Sequence, residues 1–304
     1  MRIVRIVPAL AVPALMVLGF SAASAAVDPA LLDLVTPGAK VLYGLQVQQA
    51  LASPFGQFAL ARMPDRGTAL LQLANATGFD VRRDLQEILL VSTGAGKWSN
   101  GLILARGTFQ PGKFTELARA IGAKTTDYRG FTLVTPAEPG APAFTFLDSS
   151  TLALGNRTDV EGVIDRSSSH TKLNGPLARK AQAASGTGDI WFATVTPLVE
   201  LVRPGTGPFP AGFLQAVIES SAGLQFRSDG VLVSAEALTH SPEEAAGLAG
   251  VFKFVAGMLK GPQAAFLQSA QFTASGSATR ITLSVAEQDL ERAFPSPAQR
   301  RATR

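Results

Sequence analysis

The sequence predicts an α+β protein with mostly antiparallel sheets, helices packed on one face, and two related βαββαβ-like halves. Three observations carry this prediction. Strands with alternating apolar residues follow one another in adjacent pairs, as hairpins do. Ser-Pro and Thr-Pro steps precede apolar residues at helical spacing. The same series of elements then recurs in the second half of the chain. A doubly wound α/β fold would require regular strand-helix alternation, which the neighbouring strands at 88–92 and 102–106 break.

The first strand is Val41 to Val47, with apolar residues at 41, 43, 45 and 47. Ser53-Pro54 reads as a helix start: a serine N-cap accepts an orphan amide, and proline at the first helical position gives up no hydrogen bond. Phe55, Phe58, Ala59 and Met63 supply its inward stripe, and Pro64 stops it. After Gly78-Phe79 comes a charged turn, Asp80 to Asp84, and the strand Ile88 to Ser92. A glycine-rich tip at 94–101 leads to the strand Leu102 to Arg106. Gln110-Pro111 opens a helix with Phe114, Leu117, Ala118 and Ile121 on one face. Strands are expected at 130–135, 143–147 and 152–155, and a short helix near 158–164.

The second half runs through a comparable series: strand Ile190 to Val195, helix start at Thr196-Pro197, a helical piece with Phe213, Leu214, Val217 and Ile218, then strands around 223–226 and 231–235. Ser241-Pro242 with Glu244 forms a capping box. Ala245, Leu248, Phe252, Val255 and Leu259 make the buried stripe of a long helix. A hairpin from Phe272 to Leu283 and a closing helix at 287–294 end the unit. Phe144-Thr145 followed by Asp159-Val160-Glu161 corresponds to Phe272-Thr273 followed by Asp289-Leu290-Glu291.

Domain boundaries follow from composition. Residues 1–26 have the order of a secretory signal peptide: Arg2 and Arg5, an apolar run from Ile6 to Phe20, then small residues that fit cleavage before Ala26 or before Val27. Pro8 and Pro13 make that run short for a retained membrane anchor. Residues 27–166 form the first half, 167–188 a polar joint, 189–294 the second half, and 295–304 a basic disordered tail. The address expected is periplasmic or secreted.

The 304 residues carry 27 basic and 23 acidic side chains, but without Arg2, Arg5, Arg300, Arg301 and Arg304 the body stands at 22 against 23. Nucleic acid therefore leaves the partner list. With 46% hydrophobic and 16% charged residues the chain is ample for a buried core. Zero cysteines and two histidines leave no disulfide framework, thiol nucleophile, cysteine zinc site or three-histidine site, and no cofactor or metal is expected. No later segment reads as a membrane span.

Motifs of chemistry are few. Gly94-Ala95-Gly96-Lys97-Trp98 lacks the first glycine and the Ser/Thr of a phosphate loop, so it reads as a hairpin tip. Trp98 on that tip is either an exposed anchor for a partner or folded back on its strand. Trp191 inside a strand reads as core. Arg82 and Arg83 are the candidate clamp for an anion, set against a self-paired turn with Asp80 and Asp84. His170 lies in the polar joint, His240 precedes a helix cap, and no Gly-x-Ser-x-Gly elbow exists, so no catalytic residue is assigned.

The runs Asp28 to Leu42, Ala52 to Phe58 and Gly78 to Leu85 resemble uncharacterised exported proteins of acidobacterial-type soil bacteria. The resemblance implies a bacterial origin and an envelope or extracellular address, and it carries no catalytic motif. Two functional classes follow. One is a non-enzymatic module binding a partner protein or an apolar ligand, between the sheet and the helix at 242–259. The other is a metal-free hydrolase or related enzyme using carboxylates and arginines, which needs two acids and a base in one cleft.

Overall fold

In a computed structural model, the described residues are 26–53, 56–57, 67–94, 101–169, 172–201, 215–258 and 269–289. The expected leader, the basic tail, the stripe at 55–63, Trp98, His170, Phe213, Leu214 and Leu259 lie outside them.

Among the described residues, twelve strands join in one antiparallel sheet. They are β1 (Val41–Gln46), β2 (Leu85–Ser92), β3 (Leu102–Gly107), β4 (Lys124–Tyr128), β5 (Phe131–Thr135), β6 (Ala143–Phe146), β7 (Thr151–Gly155), β8 (Ile190–Thr194), β9 (Val217–Arg227), β10 (Gly230–Thr239), β11 (Gln271–Ser275) and β12 (Ala278–Ala286). Their spatial order is β11-β12-β10-β9-β8-β1-β2-β3-β7-β6-β5-β4. From the β1/β8 contact outward, one arm reads β1-β2-β3-β7-β6-β5-β4 and the other β8-β9-β10-β12-β11.

The helices are α1 (Pro29–Leu32), α2 (Val47–Ala52), α3 (Gly67–Thr77), α4 (Val81–Asp84), α5 (Pro111–Ala120), α6 (Arg157–Ser169), α7 (Pro176–Ser185), α8 (Leu198–Leu201) and α9 (Pro242–Met258). They cover both faces of the sheet, where the sequence led us to expect one. Cross-strand partners share a face, so the register assigns each side chain. One face of the central strands carries Leu42, Leu89, Leu104, Trp191 and Ala193, all buried under α1, α6 and α7. Its neighbour Gly44 has no room for a side chain, because a Cβ there would lie 2.1 Å from the Trp191 indole.

Among the described residues, the covers of the opposite face include two separate groups. Phe79, Phe109 and Phe114 pack over Ala105 and Phe146 at one side, with Phe79 and Phe109 stacked at 5.3 Å between centroids. At the other side α9 lies on β10 to β12, with Phe252 stacked on Phe272 at 5.6 Å and Thr279 Oγ1 donating to the Ala245 carbonyl at 2.8 Å.

Several local expectations change. Val47 starts α2 instead of ending β1. Ser53 does accept a cap bond, from the Gly56 amide at 2.8 Å. The charged turn at 80–84 winds into α4, capped by Asp80 through the Arg82 amide at 2.9 Å. Within the stretch expected as a polar joint, α7 places Leu177, Ala178, Ala181 and Ala184 in the core. At α9, Ser241 Oγ accepts from the Glu244 amide at 3.2 Å as expected, but the Glu244 carboxylate bonds the His240 amide at 3.0 Å instead of the cap residue's own.

Candidate functional site

The residues between the two covers form a broad apolar wall. Tyr43 and Leu45 of β1 stand opposite Leu90 and Ile88 of β2 on one side and Phe192 and Ile190 of β8 on the other. The row continues to Leu224 of β9 and Ile103 of β3. All are half-buried except Ile190, which is exposed. The wall alternates with the sealed face residue by residue, which is why β1 and β2 read as apolar at nearly every position.

Tyr43 sits at the centre, its ring 4.8 Å from that of Phe192. Burial pushes its phenol up to about 12, since the anion would lose its hydration among apolar neighbours. The α9 border is apolar as well. Ala245, Leu248 and Ala249 are buried, whereas in the second half of the helix Phe254 and Met258 are 66% and 63% exposed. At Gly247, Gly250 and Gly257 no neighbouring atom lies within 4 Å of a would-be Cβ, so a side chain would have room at these three positions.

A second group of residues lies on the sealed face, at the edge of the core. Gln46, Glu87, Arg106 and Thr151 form a row across β1, β2, β3 and β7. Arg106 Nε donates to Asp28 Oδ2 at 2.6 Å, and its Nη1 donates to Ser150 Oγ at 3.1 Å and to Thr151 Oγ1. Glu87 is 4% exposed; its Oε2 accepts the Asp28 amide at 3.1 Å. Burial, with the Asp28 charge adding, pushes its carboxyl up to about 7 against the opposing Asp28 amide, Gln46 and Arg106. Burial also acts upward on Asp148, but hydrogen bonds from Ser150 and Thr151 outweigh it and leave that carboxyl below its usual range.

Sequence reasoning missed this group because the strand was expected to begin at Ile88. One residue earlier, Glu87 falls in phase with Leu89 and Val91, and a carboxylate in phase with a sealed face is the signal that could have found it.

Arg82 and Arg83 are both exposed, on α4. Arg83 grips Asp84 with Nε and Nη2, each at 2.7 Å, and its Nη2 also donates to the Gly78 carbonyl at 2.9 Å. The Arg83 hydrogen bond, then the Asp80 amide, hold the Asp84 carboxyl below its usual range. Arg82 contributes backbone instead: its amide to Asp80 and its carbonyl to Gln48 Nε2 at 3.1 Å. Trp98 lies outside the described residues. Asp159, at the start of α6, donates its amide to Asn156 Oδ1 at 2.8 Å. Among the described residues no helix is long and apolar enough to cross a membrane, and no three acidic or histidine side chains form a metal-binding group.

No family model and no curated protein matches the chain. Solved structures do. The crystal structure of TP0453 in crystal form IV superposes with a TM-score of 0.53 at 12% identity, covering 88% of this chain and 97% of that one. Crystal form III gives 0.51 at 13% identity, over 88% and 98%. At such identity the likeness is one of fold, and it extends over nearly the whole of TP0453.

Proposed function

We propose that this chain is an exported bacterial envelope protein, periplasmic or secreted, that binds an apolar ligand without catalysing a reaction on it. The observation that carries the reading is the half-buried apolar wall centred on Tyr43, Leu90 and Phe192, bordered by α9 and the Phe79-Phe109-Phe114 cluster. Small-molecule sites are lined predominantly by apolar and aromatic side chains with few polar groups. The leader at 1–26 and the resemblance to acidobacterial-type exported proteins support the address.

The mirrored strand order about the β1/β8 contact supports duplication as the origin of the sheet, with the β4-β5 hairpin as an addition to the first copy. Under that reading the wall lies where the two copies meet. The carboxylate-arginine enzyme reading has one feature in its favour, the meeting of Asp28, Glu87 and Asp148 around Arg106, but these groups serve one another beneath α1.

The test is to purify the mature protein from its own envelope and identify by mass spectrometry what stays bound. A stoichiometric apolar molecule is the expected result. A polar metabolite turned over by the protein, with loss of turnover in Glu87→Gln, would establish the enzyme reading instead.

A further inference from the structure

We propose that Glu87 is the seat of the α-ammonium group created when the leader is removed before Val27, so that maturation locks the N-terminal segment onto the sheet. The inference rests on the export reading above. Its observations are geometric. Glu87 Oε2 already holds the Asp28 amide at 3.1 Å, while among the described residues Glu87 Oε1 is buried with no partner within hydrogen-bond distance; the facing Gln46 side chain, a donor, lowers the carboxyl without closing a bond to that atom. Leaving such an acceptor unsatisfied is costly, and a seat that lacks its occupant is one physical reason for the state to persist.

The position of the chain start fits. Ala26 is exposed, whereas Val27 is buried in the same cluster as Leu31, Leu32 and Val35, so the chain leaves the core at the Ala26-Val27 bond. The Val27 nitrogen is one residue upstream of an amide that Glu87 already bonds, which puts it about 3–4 Å along the backbone from that contact.

Charge fits as well. The groups facing Glu87 are Asp28 from the N-terminal segment, Arg106 from β3 with Asp148 behind it, and neutral Gln46 from β1. Three carboxylates against one guanidinium lack positive charge. A peptide nitrogen at Val27 offers one N–H and no charge; an ammonium offers three donors and the missing cation. Of the two leader sites open in the sequence, the geometry points to cleavage before Val27.

The experiment compares a chain that begins at Val27 with a free amine, released from a fusion without extra residues, with the same chain extended upstream by Gly-Ser. The Glu87 carboxyl titration is followed by 13C NMR, and melting temperature is measured at pH 7. The free Val27 start is expected to bring the Glu87 midpoint from about 7 into the ordinary carboxylate range, and to raise the melting temperature by roughly 5 °C. Glu87→Gln should erase the difference between the two starts. Chemical acetylation of the Val27 amine, with the native glutamate retained, should do the same and does not depend on a variant folding. Equal Glu87 midpoints and equal melting in the two chains would overturn the seat. N-terminal sequencing of the exported protein separates the premises: a start other than Val27 overturns the link to maturation, independently of what the engineered pair shows.

Discussion

The two faces of the central strands differ by one residue of register and by everything that follows from it. Leu42, Leu89 and Trp191 are within 1% of complete burial, while Tyr43, Leu90 and Phe192, each the next residue along the chain, are half-buried on the other side. Strands apolar on both faces belong to sheets covered on both faces. Here one cover is a layer of α1, α6 and α7, and the other, among the described residues, includes α9 and an aromatic cluster standing apart from each other. Apolar side chains alone thus do not make a core. The sealed face holds the fold, and its counterpart keeps half-buried apolar side chains.

The largest expected effects test the sealed face. Trp191→Ala should cost about 4 kcal/mol in denaturant unfolding, because it leaves a cavity the size of an indole in a packed layer. Gly44→Ala should cost about 3 kcal/mol by forcing a methyl against that same ring. If either variant unfolds at the wild-type midpoint, the two faces are equivalent and the contrast fails.

The edge of that layer gives a pH signature. In a chain extended upstream of Val27, Glu87 binds its proton more tightly folded than unfolded, with its pKa raised from 4.5 to about 7. The stability this contributes is therefore complete below pH 4.5 and is lost as pH rises to about 7, a total on the order of 3 kcal/mol. Melting curves from pH 4 to 8 should show that decline in the extended chain. Glu87→Gln should remove it.

Phe192→Ala, on the open face, should cost only about 1 kcal/mol, since much of the ring's surface is uncovered to begin with. It should nevertheless weaken binding of an apolar fluorophore about tenfold. Smallest of all is the cross-strand pair Arg280-Glu236 on the outer arm, 2.9 Å apart and largely solvated. Arg280→Ala should change stability by less than about 1 kcal/mol, and a larger loss would show that the outer arm depends on its polar face more than this contrast allows.

Much of the sheet was legible because hairpin strands with alternating or continuous apolar residues announce themselves. β2, β3, β8 and the β11/β12 hairpin lie close to their sequence positions, and Ser241 does cap α9. The elements that were missed lack that signal. The strand β4, Lys-Thr-Thr-Asp-Tyr, has no apolar alternation and is held by pairing with β5. In α7 the buried stripe is built from alanines among polar residues, so composition suggested a joint. That helices lie on both faces was hidden because an apolar residue does not declare which layer covers it.

For the site, Tyr43, Leu90 and Phe192 were each visible as strand residues, but their meeting on one row depends on β1 pairing with β8 across about 150 residues of sequence. No local pattern encodes that pairing. Glu87 was missed for a different reason, a strand start placed at Ile88, three residues after the observed Leu85.

The most direct measurement of the central claim is titration of the protein with N-phenyl-1-naphthylamine, comparing wild type with Leu90→Asn on the open face. The expected result is saturable one-to-one binding with blue-shifted emission in the wild type, and its loss in Leu90→Asn at unchanged circular dichroism and with melting lowered by only a few degrees. Equal binding by the two proteins would contradict the assignment of the ligand to this face.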